Sequence, residues 1–126
     1  MSTPEVVPTT VLVADDDALV RDVLRMALMR GGFRVVEARN SAEAIATAAS
    51  TQPSLVILDV NMPGCSVNET LTSLREQSPN LPVLILSGEA EAPAQFIDSH
   101  GDFARKPIEL NELLSRVHRL LAAHPK

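Results

Sequence analysis

Leu55-Val56-Ile57-Leu58-Asp59 is the stretch that decides the fold. Four apolar residues run without alternation, as in a strand covered on both faces, and a carboxylate stands where the run stops. The turn Asn61-Met62-Pro63-Gly64 follows it. Toward the N-terminus, Thr10-Val11-Leu12-Val13-Ala14 is a brief β-branched run that ends abruptly at Asp15-Asp16-Asp17. Toward the C-terminus, Leu81 to Leu86 reads as another uninterrupted strand despite Pro82. Phe33 to Glu37 and about Asp102 to Arg105 complete a set of five.

Helical patterns fill the gaps between these runs. Leu19, Val20, Val23, Leu24, Ala27 and Leu28 recur at helical spacing, and Gly31-Gly32 ends that helix. Asn40 with Glu43 three residues on resembles a capping box, opening an alanine-rich helix that stops near Pro53. Val67, Leu71 and Leu74 form the inward stripe of a third helix ending before Pro79. Ala92 to Ser99 is a short helix candidate, and Leu110, Leu113, Leu114, Val117, Leu120 and Leu121 make the clearest amphipathic helix. Strands alternating with helices imply βαβ crossovers, hence an α/β fold with a doubly wound parallel sheet.

At 126 residues the chain is one domain with room for a core, and 45% hydrophobic with 21% charged residues is an ordinary globular balance. A net charge of -5 argues against a nucleic-acid partner held by bulk charge. Three Phe with no Trp or Tyr leave no stacking platform for single strands. No apolar run suggests a membrane span. The single cysteine, Cys65, cannot form an internal disulfide, which suits a reducing cytoplasm.

In doubly wound sheets, ligands sit beyond the carboxyl ends of the strands. The residues just past strands one, three, four and five are Asp15/Asp16, Asp59, Ser87 and Lys106. If the sheet gathers the three carboxylates, each pair repels by roughly 1 to 4 kcal/mol. A hard divalent cation such as Mg²⁺, with Mn²⁺ as a substitute, is the natural compensation. Lys106 adds a positive point charge suited to a phosphate oxygen. Asp59 then becomes a candidate nucleophile that forms an aspartyl phosphate, with the Ser87 hydroxyl donating to a phosphoryl oxygen.

The motifs Val13-Ala14-Asp15-Asp16-Asp17, Leu58-Asp59-Val60-Asn61-Met62-Pro63-Gly64, Leu86-Ser87-Gly88 and Arg105-Lys106-Pro107 resemble those of the receiver domain of two-component response regulators. The resemblance covers Val11 to Leu121. It implies a flavodoxin- or CheY-like sheet in the order 2-1-3-4-5, with Asp59 as phosphoacceptor. It further implies Mg²⁺ held by Asp16, Asp59 and the backbone carbonyl of Asn61, with Asp15 acting largely through a metal-bound water. Ser87 falls at the switch hydroxyl, Lys106 at the phosphate-contacting lysine, and Phe103 at an aromatic that changes rotamer on activation. Asn61 and Glu89 fall beside the path of the hydrolytic water, where they would set the lifetime of the phosphorylated state. The implied phosphodonor is a histidine kinase or histidine phosphotransfer protein, and the implied output is a switched protein–protein contact. The expected organisation is a tail at 1–9 and a receiver domain at 10–123, with no output module, since only Ala122 to Lys126 follow Leu121.

Two departures stand out. Val67 stands where relatives carry a glycine, so the turn before the third helix is expected to take another path. The interval from Ser87 to Lys106 is also a few residues short. Plainer readings compete residue by residue. Asp16 or Asp17 could simply cap the first helix, Phe103 could be core, and Cys65 an ordinary loop thiol. His118 and His124, with Arg116 and Arg119, suit a last-turn helix dipole and carry no chemistry; neither does His100. At the level of the whole protein, one competitor is a phosphatase or phosphotransferase of the haloacid-dehalogenase type. That class wants an acid and then a hydroxyl residue where Asn61 and Pro63 stand, so the chain is expected not to be a metabolic enzyme. The other competitor is a degenerate receiver serving as an unphosphorylated adaptor.

Overall fold

A computed structural model describes residues 9–64, 66–88 and 101–123. Residues 1–8, Cys65, Glu89, the helix expected at Ala92 to Ser99, His100 and His124 lie outside them. Along the described chain run β1 (Thr10–Ala14), α1 (Ala18–Arg30), β2 (Arg34–Ala38), α2 (Ser41–Thr51), β3 (Leu55–Asp59), α3 (Val67–Gln77), β4 (Val83–Ser87), β5 (Gly101–Arg105) and α4 (Leu110–Ala123). The strands form one parallel sheet in the order β2-β1-β3-β4-β5. The order reverses at β1, which opens a crevice between the exits of β1 and β3.

Strand burial follows from the patterning. Every residue of β3 and β4 is buried, because these central strands carry helices on both faces. The side chains of β1, β3 and β4 alternate between two cores. Val11, Val13, Ile57, Leu84 and Leu86 meet Leu24 and Leu28 of α1 and Leu113, Val117 and Leu120 of α4. Leu12, Val56, Leu58, Val83 and Ile85 meet Ala44 and Ala48 of α2 and Leu71 and Leu74 of α3.

Asp17 is the N-cap of α1, its carboxylate accepting from the backbone N–H groups of Leu19 and Val20. The helix ends in a Schellman arrangement. Phe33 N–H donates to Leu28 O and Gly32 N–H to Met29 O, with Gly32 at φ +89°. Of the apolar positions in α1, Leu24, Ala27 and Leu28 are buried, whereas Leu19 and Val23 face outward.

Several boundaries and caps differ from the sequence reading. β2 begins and ends one residue later than Phe33 to Glu37. β4 begins at Val83, since Leu81 and Pro82 belong to the turn that leads in; Leu81 N–H donates to Ser78 O. Asn40 caps α2 through Glu43 N–H, but Glu43 returns its carboxylate to Arg39 N–H and the Arg39 guanidinium instead of closing a box with Asn40. The full capping box sits on α3, between Ser66 and Glu69. Val67 is the first residue of that helix, and the positive φ of the preceding turn is taken at Gly64 (φ +105°).

The last helix corrects the dipole reading. α4 continues to Ala123, so its last turn holds no basic residue. Arg116 instead binds Asp102, the Phe103 carbonyl and Glu112, where it satisfies an edge-strand acceptor, and the His118 ring packs 5.4 Å from that of Phe33.

Candidate functional site

Asp15 and Asp16 follow β1 directly, Asp59 is the last residue of β3, and Lys106 follows β5. Backbone hydrogen bonds hold each exit to a neighbouring strand. Asp15 N–H donates to Ala38 O, Val60 N–H to Leu86 O, and Lys106 N–H to Ser87 O at 2.8 Å. The peptide bond from Lys106 to Pro107 is cis.

These exits converge. One carboxylate oxygen from each of Asp15, Asp16 and Asp59 lies within 4.8 Å of the others. Asp15 and Asp59 are buried, at 1% and 4% exposure, and Asp16 is exposed. The Lys106 ammonium donates to Asp15 Oδ2 at 2.7 Å and to Asp59 Oδ1 at 3.0 Å. Asp15 Oδ1 accepts from Asp17 N–H at 2.9 Å, so both oxygens of this buried carboxylate are used.

Electrostatics leave the site wanting a cation. Burial pushes the Asp59 carboxyl above the ordinary carboxylate range; the hydrogen bond from Lys106 opposes this, and the negative charge of Asp15 adds to it. Burial pulls the Lys106 ammonium down, but its bonds to Asp15 and Asp59 outweigh this and leave it above its usual value. Three carboxylates against one ammonium leave two negative charges at a half-open rim. Hard oxygens with one exposed member fit a hydrated divalent cation, and the cluster could hold a metal ion.

The structure therefore brings Asp15, Asp16, Asp59 and Lys106 together. Asn61 is exposed at the start of the β3–α3 loop and meets Asp59 through a backbone hydrogen bond. Ser87 is buried at the end of β4, its carbonyl bonded to Lys106 N–H. Phe103 is half-buried on β5 and packs against the core under α2 and α3. Glu89 lies outside the described residues. The acidic triplet divides its labour, since Asp17 caps the helix while Asp15 and Asp16 join the cluster.

One residue beside the site escaped the sequence reading. Arg21 of α1 reaches back to the Asp15 carbonyl at 2.7 Å and to Glu37 of β2 at 3.3 Å. Its only sequence signal is a basic residue one helical turn after the Asp17 cap, a pattern that a solvated surface arginine shares.

The family model described as the response regulator receiver domain matches residues 11–118. Response regulator MprA of Mycolicibacterium vanbaalenii is 38% identical over 117 residues, which cover 90% of this chain and 51% of that protein. The probable transcriptional regulatory protein TcrX of Mycobacterium tuberculosis is 34% identical, with 90% and 50% covered. The chain thus spans about half the length of the curated relatives it matches. Among solved structures, chemotaxis protein CheY4 of Vibrio cholerae superposes with a TM-score of 0.82 at 28% identity, covering 91% of this chain and all of that one. A putative response regulator from Chloroflexus aurantiacus gives 0.83 at 31% identity, with 91% and 98% covered. Among the described residues, no helix is long and apolar enough to cross a membrane.

Proposed function

Because this chain belongs to the response regulator receiver domain family and is a phosphoacceptor module of two-component signalling, we propose that Asp59 is the residue phosphorylated. The donor in this reading is a phosphohistidine on a histidine kinase or a histidine phosphotransfer protein. An Asp59 oxygen attacks phosphorus, the new O–P bond forms as the N–P bond breaks, and the electron pair leaves on the donor imidazole. What carries the reading is the position of Asp59: buried at the exit of a central strand, against the Lys106 ammonium and beside two further carboxylates.

Asp16, Asp59 and the Asn61 carbonyl would hold Mg²⁺, or Mn²⁺ in its place, with Asp15 acting through a bound water. The ion, when bound, supplies positive charge for the phosphoryl oxygens. Lys106 exchanges its bond to Asp59 for one to a phosphoryl oxygen, and the Ser87 hydroxyl donates to another. Phe103 turns as Ser87 and Lys106 are drawn toward the phosphate, which switches contacts with a downstream protein. Asn61 and Glu89 set how fast water removes the phosphoryl group. The chain catalyses only its own phosphorylation and dephosphorylation, and we place it in the cytoplasm, on its single cysteine.

Intact-mass spectrometry after incubation with Mg²⁺ and acetyl phosphate tests this. The expected result is a gain of one phosphoryl group, lost on treatment with hydroxylamine and absent from Asp59→Asn. An unchanged mass, or labelling that survives in Asp59→Asn, overturns the assignment.

A further inference from the structure

We infer that Arg21 is a positioning residue for the acidic pocket, fixing the Asp15–Asp16 segment so that its carboxylates point toward Asp59. The inference rests on the proposal above that this pocket takes Mg²⁺. The Arg21 side chain is only 12% exposed, although it lies on an outer helix. Its Nη1 donates to the main-chain carbonyl of Asp15 at 2.7 Å, a short charge-assisted bond, and its Nε to Glu37 Oε1 at 3.3 Å. Asp15 N–H already donates to Ala38 O. The main chain of Asp15 is therefore held on both sides, from β2 through Ala38 and from α1 through Arg21. Asp15 is 1% exposed, so without Arg21 its carbonyl would need a new donor or a turn of the peptide joining it to Asp16. That turn would swing the Asp16 carboxylate out of register with Asp15 and Asp59.

An alternative is that Arg21 is a plain ion-pair partner of Glu37. Arg25 shows what such a residue looks like: it pairs with Glu37 at 3.6 Å and with Asp22 at 3.3 Å, and its side chain is 37% exposed. The two roles differ in sign. Removing a cation beside three carboxylates strengthens Mg²⁺ binding on charge alone, whereas losing the clamp weakens it.

Isothermal titration calorimetry of the full chain with MgCl₂, below the melting temperature of each variant, separates them. Arg21→Gln should weaken Mg²⁺ by about tenfold or more, in the range set by outer-shell partners of metal sites. Arg21→Lys, which keeps the charge but reaches one partner at a time, should recover part of this. Arg25→Gln should not weaken binding. Should Arg21→Gln fail to fold, Arg21→Lys decides, since it too must bind more weakly than the wild type. Equal or tighter binding in a folded Arg21 variant overturns the inference and leaves the metal reading standing. A wild-type chain that binds no Mg²⁺ overturns both.

Discussion

Lys106 Nζ lies 2.7 Å from Asp15 Oδ2, so the exit of the last strand is tied directly to the exit of the first. The same ammonium reaches Asp59 at 3.0 Å. One cation thereby holds two buried like charges together, and its removal exposes what each contributes.

Lys106→Met should destabilise the fold by about 1–3 kcal/mol at neutral pH, because it strands two neighbouring carboxylates with little solvent. The Asp59 carboxyl, already raised, rises further without the ammonium. A group whose folded pKa is raised costs stability above that pKa and less below it, so the loss should shrink as the pH falls through the Asp59 titration. Urea unfolding at neutral and mildly acidic pH reads this out. A pH-independent loss would show that charge is not its cause.

Asp59→Asn should be more stable than the wild type in metal-free buffer, on the order of 1 kcal/mol at neutral pH. Burial and Asp15 penalise the ionised carboxylate more than Lys106 compensates, as the net upward shift shows. The advantage should vanish on acidification, as Asp59 takes up its proton. Thermal melts across that range in the presence of a chelator are the measurement.

Divalent metal should raise the melting temperature, by about 2.7 kcal/mol of stability at a hundredfold excess over its dissociation constant. Asp16→Asn should abolish most of this shift. Asp17→Ala should leave it, while costing about 1 kcal/mol of helix capping. Because protons compete at Asp59, metal affinity should fall as the pH drops through its raised pKa. Comparing melts of the two variants with and without Mg²⁺ tests whether the acidic triplet is divided as described.

Gly64→Ala should destabilise by about 1–2 kcal/mol, since Gly64 takes φ +105° and a Cβ there would stand 3.3 Å from the Ser41 Cβ. Chemical denaturation measures it, and an unchanged midpoint would mean that the β3–α3 turn readily takes another path.

The sheet and the site were legible for the same reason. Short apolar runs without alternation, such as Leu55 to Leu58, fit strands covered on both faces, and each ends at a polar residue that a parallel sheet places on one rim. Side-chain partners were less legible. Nothing in the spacing of Arg116 says that it satisfies the Phe103 carbonyl on an edge strand rather than a helix end, because the contact depends on the crossing of α4 over β5. Arg21 is similar, since its target is a main-chain oxygen and main-chain acceptors leave no trace in sequence. The Ser66–Glu69 box is visible in sequence as a serine three residues before a glutamate, but Val67, in place of a glycine, points equally to an irregular turn there.

Lys106 meets its two carboxylates across 91 and 47 residues of chain. During synthesis, therefore, a growing polypeptide carries both buried carboxylates before the ammonium that neutralises them has been added. The pocket as described closes only once β5 is in place, so its assembly is coupled to completion of the sheet.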